Sequence, residues 1–246
     1  MGEPKDASSL LRLTPFGRKE WGLCLALGVG GGILLLIALG LLAGAWSWGG
    51  ALGGVAIVGG LMGTLFFRDP PRKVDDDPAS LVAPADGVIV DIEKVFLREV
   101  DEFDADAEFL RIGIFLSVLD VHINRSPCSW KVAFKSYKEG KFHDARSPLA
   151  AKENESLLIA GWGEVLGEKI PIAVRQVSGA IARRIVCSAQ TGDALQKGQR
   201  YGMIKFGSRT ELFLPADGAF ELSVGLGDRV RAGTTVLACW TGRPRE

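Results

Sequence analysis

Residues 21–67 read WGLCLALGVGGGILLLIALGLLAGAWSWGGALGGVAIVGGLMGTLFF, and no charged side chain interrupts them. All 29 Lys+Arg and 29 Asp+Glu of the 246-residue chain lie outside this run. A bilayer core is spanned by about 20 apolar residues, so the run holds two crossings: Trp21 to about Ala45, then about Ala51 to Phe67. Gly49 and Gly50 fall between them, and Trp46 and Trp48 stand where an aromatic belt would lie. Small residues recur in both stretches (Gly28, Gly30, Gly31, Gly32; Gly53, Gly54, Gly59, Gly60), and such positions let two helices approach closely. One long tilted helix and a signal peptide are the alternatives. A signal peptide has a shorter apolar stretch with a cleavage site after it, and the reading favours a helical hairpin.

Outward from the run, basic residues flank both ends. Arg12, Arg18 and Lys19 precede it, Arg68, Arg72 and Lys73 follow it, and the intervening turn has none. Basic residues mark the cytoplasmic side, so both ends are expected to face the cytoplasm and the anchor to lie in the cell (inner) membrane. The remainder of the chain has no second run of this kind, which excludes a polytopic transporter. Formal net charge is zero, so no global basic field points to nucleic acid. Cys24, Cys128, Cys187 and Cys239 are far apart, with no CxxC and no cysteine–histidine zinc spacing. Reduced, mostly buried thiols and no metal site are expected.

The domain boundaries read as 1–20 for an N-terminal segment, 21–67 for the hairpin and 68–246 for a soluble domain. Prolines and charges in Arg68-Asp69-Pro70-Pro71-Arg72 and Asp75-Asp76-Asp77-Pro78 suggest a stiff linker. Beyond it the pattern is mostly period two. Val88, Val90 and Ile92 should share one strand face, with Ile89 and Asp91 on the other. Ile112, Ile114 and Leu116, then Ile170, Ile172 and Val174, and Phe220, Leu222 and Val224 repeat the alternation, and Val236–Ala238 reads as a last strand. Helices are expected near Leu149–Glu155 and Gly179–Val186. The fold class is therefore α+β, a β-rich soluble domain after an apolar helical hairpin. Pro84-Ala85-Asp86-Gly87 is echoed by Pro215-Ala216-Asp217-Gly218, and Val224–Gly233 is similar to the turn-rich half of biotinyl and lipoyl carrier domains, so two related β units are expected.

Three segments place reactive groups among apolar ones: Asp86 in its Pro-Ala-Asp-Gly turn, His122 in Asp120-Val121-His122-Ile123-Asn124-Arg125-Ser126-Pro127, and Ser208 in Phe206-Gly207-Ser208-Arg209. Singly, each is an ordinary turn, a core histidine or a loop serine. Together they supply the residue types of an activated hydroxyl. Gly207 permits backbone conformations closed to other residues, so Ser208 could attack the carbonyl of its own preceding residue.

These segments, with Phe66-Phe67-Arg68-Asp69-Pro70 and Ala182-Arg183-Arg184-Ile185-Val186, resemble the phosphatidylserine decarboxylases, in the short form with an N-terminal membrane hairpin. The resemblance covers most of positions 66–246 in the family's order. It implies a proenzyme (zymogen) that cuts itself between Gly207 and Ser208. Ser208 would attack the Gly207 carbonyl in an N-to-O acyl shift. Elimination and hydrolysis would then leave a pyruvoyl group in place of Ser208 at the start of a small chain, residues 208–246. His122 and Asp86 match the family's base and acid. The substrate implied is phosphatidylserine in the membrane, joined to the pyruvoyl group as a Schiff base and decarboxylated to phosphatidylethanolamine. Large and small chains would remain associated, and a homo-oligomer is left open.

In the long form a second histidine, implicated in protonating the product, stands three residues before the position of His122; here that residue is Leu119. Asp120, His143 or water are the candidates to replace it. Arg209, Lys205, Arg125, Arg183 and Arg184 are candidate partners of a lipid phosphate. The rival readings are a decarboxylase of an ether-linked serine lipid, a Ser-His-Asp hydrolase and a non-enzymatic carrier. Ser208 lacks the hydrolase Gly-x-Ser-x-Gly elbow.

Overall fold

The computed structural model describes residues 12–147, 149–180, 184–205 and 208–242. The chain divides into two compact units, Met1–Pro71 and Arg72–Glu246.

In the first unit the uncharged run is helical almost throughout. Helix α1 (Arg18–Cys24) continues through a π-helical stretch, Leu25–Gly30, into α2 (Gly31–Ala43), and α3 (Trp46–Phe66) returns beside them. The reversal occurs at Gly44, whose φ of 60° is left-handed and whose N–H bonds back to Leu39 O, the usual glycine ending of a helix. It therefore comes earlier than the expected Gly49–Gly50, which are helical. Gly49 serves approach instead of turning: a Cβ there would stand 3.0 Å from Leu36 O. Likewise a Cβ on Gly60 would stand 2.6 Å from Gly28 Cα, and one on Gly32 would stand 2.7 Å from Gly53 O. The small-residue rows thus let the two backbones touch. Leu27, Leu34, Leu42, Val55 and Met62 point outward. The ends are tied where Thr14 N–H donates to Phe67 O at 2.9 Å and Asp69 N–H to Arg12 O at 2.6 Å. By length and composition, both helical stretches, Pro15–Leu42 and Trp46–Phe66, can cross a membrane.

The strands of the second unit are β1 (Ser80–Val82), β2 (Gly87–Phe96), β3 (Glu108–Leu116), β4 (Ile123–Arg125), β5 (Trp130–Lys138), β6 (Ser156–Val165), β7 (Glu168–Val177), β8 (Arg184–Cys187), β9 (Ala194–Leu195), β10 (Arg200–Lys205), β11 (Ser208–Pro215), β12 (Phe220–Leu222), β13 (Arg229–Val230) and β14 (Val236–Trp240). One short helix, α4 (Ala150–Glu153), falls within the helical stretch expected near Leu149. A curled sheet of eight strands runs in the order β13-β2-β3-β11-β7-β6-β5-β9. Two smaller sheets, β4-β10-β8 and β1-β14-β12, accompany it. The main core lies on one face of the large sheet, where Ile112, Ile114, Leu116, Ile170, Ile172 and Val174 alternate inward as their period predicts. The other face carries a smaller cluster under residues 97–103, built on Leu97, Val100, Phe103, Phe109 and Phe213.

Two local expectations are corrected. A bulge in β2 between Ile89 and Asp91 pairs Ile89 with Ile114 and Asp91 with Gly113. The extra residue breaks the period-two pattern, so Ile89 and Ile92 both reach the core and Val90 does not follow them. The helix expected at Gly179–Val186 is absent over Arg184–Val186, which lie in β8 and pair with β10; residues 181–183 are outside the described set. Here cross-strand pairing and the inward packing of Ile185 override a weak helical signal. The second Pro-Ala-Asp-Gly also differs from the first. Pro215 closes β11, and Gly218 (φ 81°) turns the chain toward β12. All four cysteines are unbridged. Cys128 alone is fully buried, its thiol pushed up to about 12 by burial.

Candidate active site

Ser208 begins β11, the strand held in the sheet between β3 and β7. It pairs with Leu116, and its neighbour Arg209 pairs with Phe115 on one side and Val177 on the other. Ser208 is completely buried, and its Oγ has no hydrogen-bond partner among the described residues. An unmatched buried hydroxyl costs about 1–3 kcal/mol, which marks Ser208 as held for something other than stability. Gly207, the other side of the expected cut, and Phe206 lie outside the described residues, as does Arg183.

His122 is also fully buried, just ahead of β4. Its main-chain carbonyl accepts from Ile204 N–H at 3.3 Å, and β4 runs antiparallel to β10, the strand that leads into Ser208. The imidazole Nδ1 lies 2.9 Å from the Asp120 carbonyl oxygen. A carbonyl can only accept, so Nδ1 carries a proton. A backbone oxygen thus fixes Nδ1 as the donor, so the neutral form of the ring carries its lone pair on Nε2.

Asp86 stands at the head of β2. Val88 pairs with Phe115, which pairs in turn with Arg209. Asp86 and Ser208 therefore occupy the same end of the sheet, two strands or about 10 Å apart. Asp86 Oδ2 accepts from Arg72 Nη2 at 2.7 Å, and Oδ1 from Ala232 N–H at 2.8 Å. Burial raises its carboxyl above the ordinary value and outweighs the opposing pull of Arg72. Arg72 was legible in the sequence only as a flanking charge. The part of the linker within this unit packs down onto it, with Val74 against Gly198 and Lys197 reaching Asp75 and Ser80.

Because Asp86 is buried with a raised carboxyl, its stabilising contribution is full at pH below the ordinary carboxylate value and is lost as pH rises through the folded value. Asp86→Asn removes that loss. Its melting temperature, followed in detergent from pH 4 to pH 8, should rise relative to the parent as pH increases, and a constant difference would refute the assignment. Self-cleavage should slow in the same variant.

Arg209 does not reach outward to a lipid phosphate. It is buried, bonds through Nε to Glu211 Oε1 at 2.9 Å and pairs with Asp91. Gly113 makes room for this pair, since a Cβ there would stand 2.7 Å from Arg209 Nη2. Arg111 and Arg175 extend the network to Glu93, Glu99 and Glu211. Arg125 is likewise turned in, with Nη1 donating to Gly198 O at 3.1 Å; Lys205 is buried and Arg184 exposed. Among the candidate proton donors, the Asp120 carboxylate accepts from Ser117 N–H and Oγ–H and from Arg229, and His143 Nε2 pairs with Glu153. Leu119 is 77% exposed.

The sequence model of the phosphatidylserine decarboxylase family matches residues 61–238, which include Asp86, His122 and Ser208. The chain belongs to the phosphatidylserine decarboxylase family. Similar proteins bear the name phosphatidylserine decarboxylase proenzyme. That of Desulfotalea psychrophila is 48% identical over 176 residues, 70% of this chain and 76% of that protein. That of Rhodopirellula baltica is 42% identical over 205 residues, 83% and 82% of the two chains. That of Wolbachia pipientis is 41% identical over 192 residues, 78% and 80%.

Proposed function

We propose that this chain is a self-processing, pyruvoyl-dependent decarboxylase that converts phosphatidylserine to phosphatidylethanolamine and releases carbon dioxide. One observation carries it: the buried, unpartnered Ser208 hydroxyl at the same end of the fold as a histidine whose tautomer leaves a lone pair on Nε2. His122 Nε2 takes the Ser208 hydroxyl proton as Oγ attacks the Gly207 carbonyl carbon. The Gly207–Ser208 C–N bond breaks, leaving an ester and an amine. Loss of the Ser208 α-proton then expels the Gly207 carboxylate, and water replaces nitrogen, which leaves as ammonia. Asp86, held by Arg72, supports the charge that develops on the imidazole. Once formed, the pyruvoyl group supplies an electron-withdrawing carbonyl that takes up a substrate amine and the electrons released with carbon dioxide.

Residues 1–20 form the N-terminal segment, 21–67 the transmembrane hairpin and 68–246 the catalytic domain on the cytoplasmic face. The two apolar helices and the tied, basic ends support this arrangement. It keeps a diacyl substrate at the interface. The large and small chains stay together because β11 is hydrogen-bonded on both sides. The biotinyl-like stretch is a β unit echoing the first Pro-Ala-Asp-Gly unit, with Gly227 (φ 88°) and Gly233 (φ 77°) at its turns.

Intact mass measurement under denaturing conditions tests the reading. A fragment covering residues 208–246, lighter than encoded by one ammonia, is expected alongside carbon dioxide release from phosphatidylserine. An uncut chain in an active preparation would reject it in favour of a hydrolase or carrier.

A further inference from the structure

We propose that Asn124, Gln176 and Thr210 are positioning residues for self-cleavage, a proposal that rests on the roles given above to Ser208 and His122. All three are fully buried. Asn124 Nδ2 donates to Thr210 Oγ1 at 2.9 Å, and Gln176 Nε2 donates to Asn124 Oδ1 at 2.8 Å. Gln176 and Thr210 are register partners on β7 and β11 of the large sheet, whereas Asn124 belongs to β4 of the small one. The three side chains therefore clamp two sheets that share no ladder.

The position of the clamp gives it meaning. Side chains two apart on a strand share a face. His122 lies two residues before Asn124, and Ser208 two before Thr210. Asn124 pairs with Gly202 and His122 meets Ile204, so β4 runs from the reactive end toward the clamp, as β11 does from Ser208. Two residues back from the Asn124–Thr210 bond, toward the reactive end, lie His122, just ahead of β4, and Ser208, the first residue of β11. Gly202 is part of the fit, since a Cβ there would stand 3.0 Å from Gln176 Nε2.

Stability does not account for the clamp. Gln176 Oε1 has no hydrogen-bond partner among the described residues, and a partly satisfied buried network is worse for stability than an apolar one. What the clamp supplies is register between two strands that pack without backbone hydrogen bonds. A displacement of about 1 Å can cost about 100-fold in rate when a reacting pair must be aligned.

The test uses the full-length chain made by cell-free translation into phospholipid nanodiscs, with the first-order rate of self-cleavage read at a series of pH values and thermal melting read on the Ser208→Ala background. Thr210→Val keeps shape and removes the acceptor; Thr210→Ser keeps the acceptor. Thr210→Val and Asn124→Leu should slow cleavage about 10- to 100-fold by the same factor at every pH. Each variant should still fold, with melting lowered only by the buried group it leaves unmatched, and Thr210→Ser should cleave at the parent rate. Equal rates for Thr210→Val and Thr210→Ser would overturn the proposal. So would loss of folding in both Thr210→Val and Asn124→Leu, because that would make the clamp a stability element. Cleavage of Ser208→Ala itself would instead sink the underlying reading, which keeps the two failures apart.

Discussion

Ser208→Ala should yield one uncut chain of about 26.3 kDa with no detectable decarboxylation. The hydroxyl oxygen of residue 208 is the only atom that can accept the acyl group from residue 207 and leave a carbonyl-bearing N-terminus behind. Alanine offers no such oxygen, and without the cut no ketone is made. The fold should survive, since Ser208 Oγ makes no hydrogen bond among the described residues. Removing a buried, unmatched hydroxyl is close to neutral or mildly stabilising. Denaturing mass spectrometry and carbon dioxide release check both halves. An active Ser208→Ala preparation would place the chemistry elsewhere.

His122→Ala should leave an intact precursor that cuts itself about 10²- to 10⁴-fold more slowly, the range typical of a lost general base. The residue is fully buried, so water does not readily take its place. The imidazole is oriented by its bond to the Asp120 carbonyl, and the substitution leaves that acceptor to be matched by other means. Some destabilisation is therefore expected, and the rate must be compared among folded molecules. Pulse-chase labelling gives the rate directly. Cleavage at the parent rate would remove His122 from the mechanism while leaving Ser208 untouched.

Much of this was legible in the sequence. The uncharged run announced its helices because charge cannot hide in an apolar stretch, and the strand alternation of β3 and β7 followed from period two. Asp86, His122 and Ser208 stood out as reactive residues in apolar company. What the sequence could not show depends on pairing between distant segments. The β2 bulge moved Ile89 and Ile92 to the core, and no local pattern predicts an inserted residue. Arg184–Cys187 became a strand because β10 lay beside it. Gly44 turned the helices ahead of a more conspicuous glycine pair. The Asp120 carbonyl is a backbone group and leaves no residue-type signal. Arg209 reads from the sequence as a candidate phosphate partner, and its actual buried partners, Asp91 and Glu211, come from β2 and from its own strand.

The placement of β11 between β3 and β7 has a consequence for timing. Both neighbours precede it in the chain, so a growing polypeptide must leave a slot open in the sheet and fill it later with long-range pairing, a slow class of contact. Until that strand arrives, residue 208 has no fixed surroundings and the histidine has nothing aligned to deprotonate. On the mechanism proposed above, the cut waits until β11 is seated between the two strands that hold it. If that mechanism holds, maturation doubles as a proofreading step: a chain that fails to seat β11 is never converted to an enzyme.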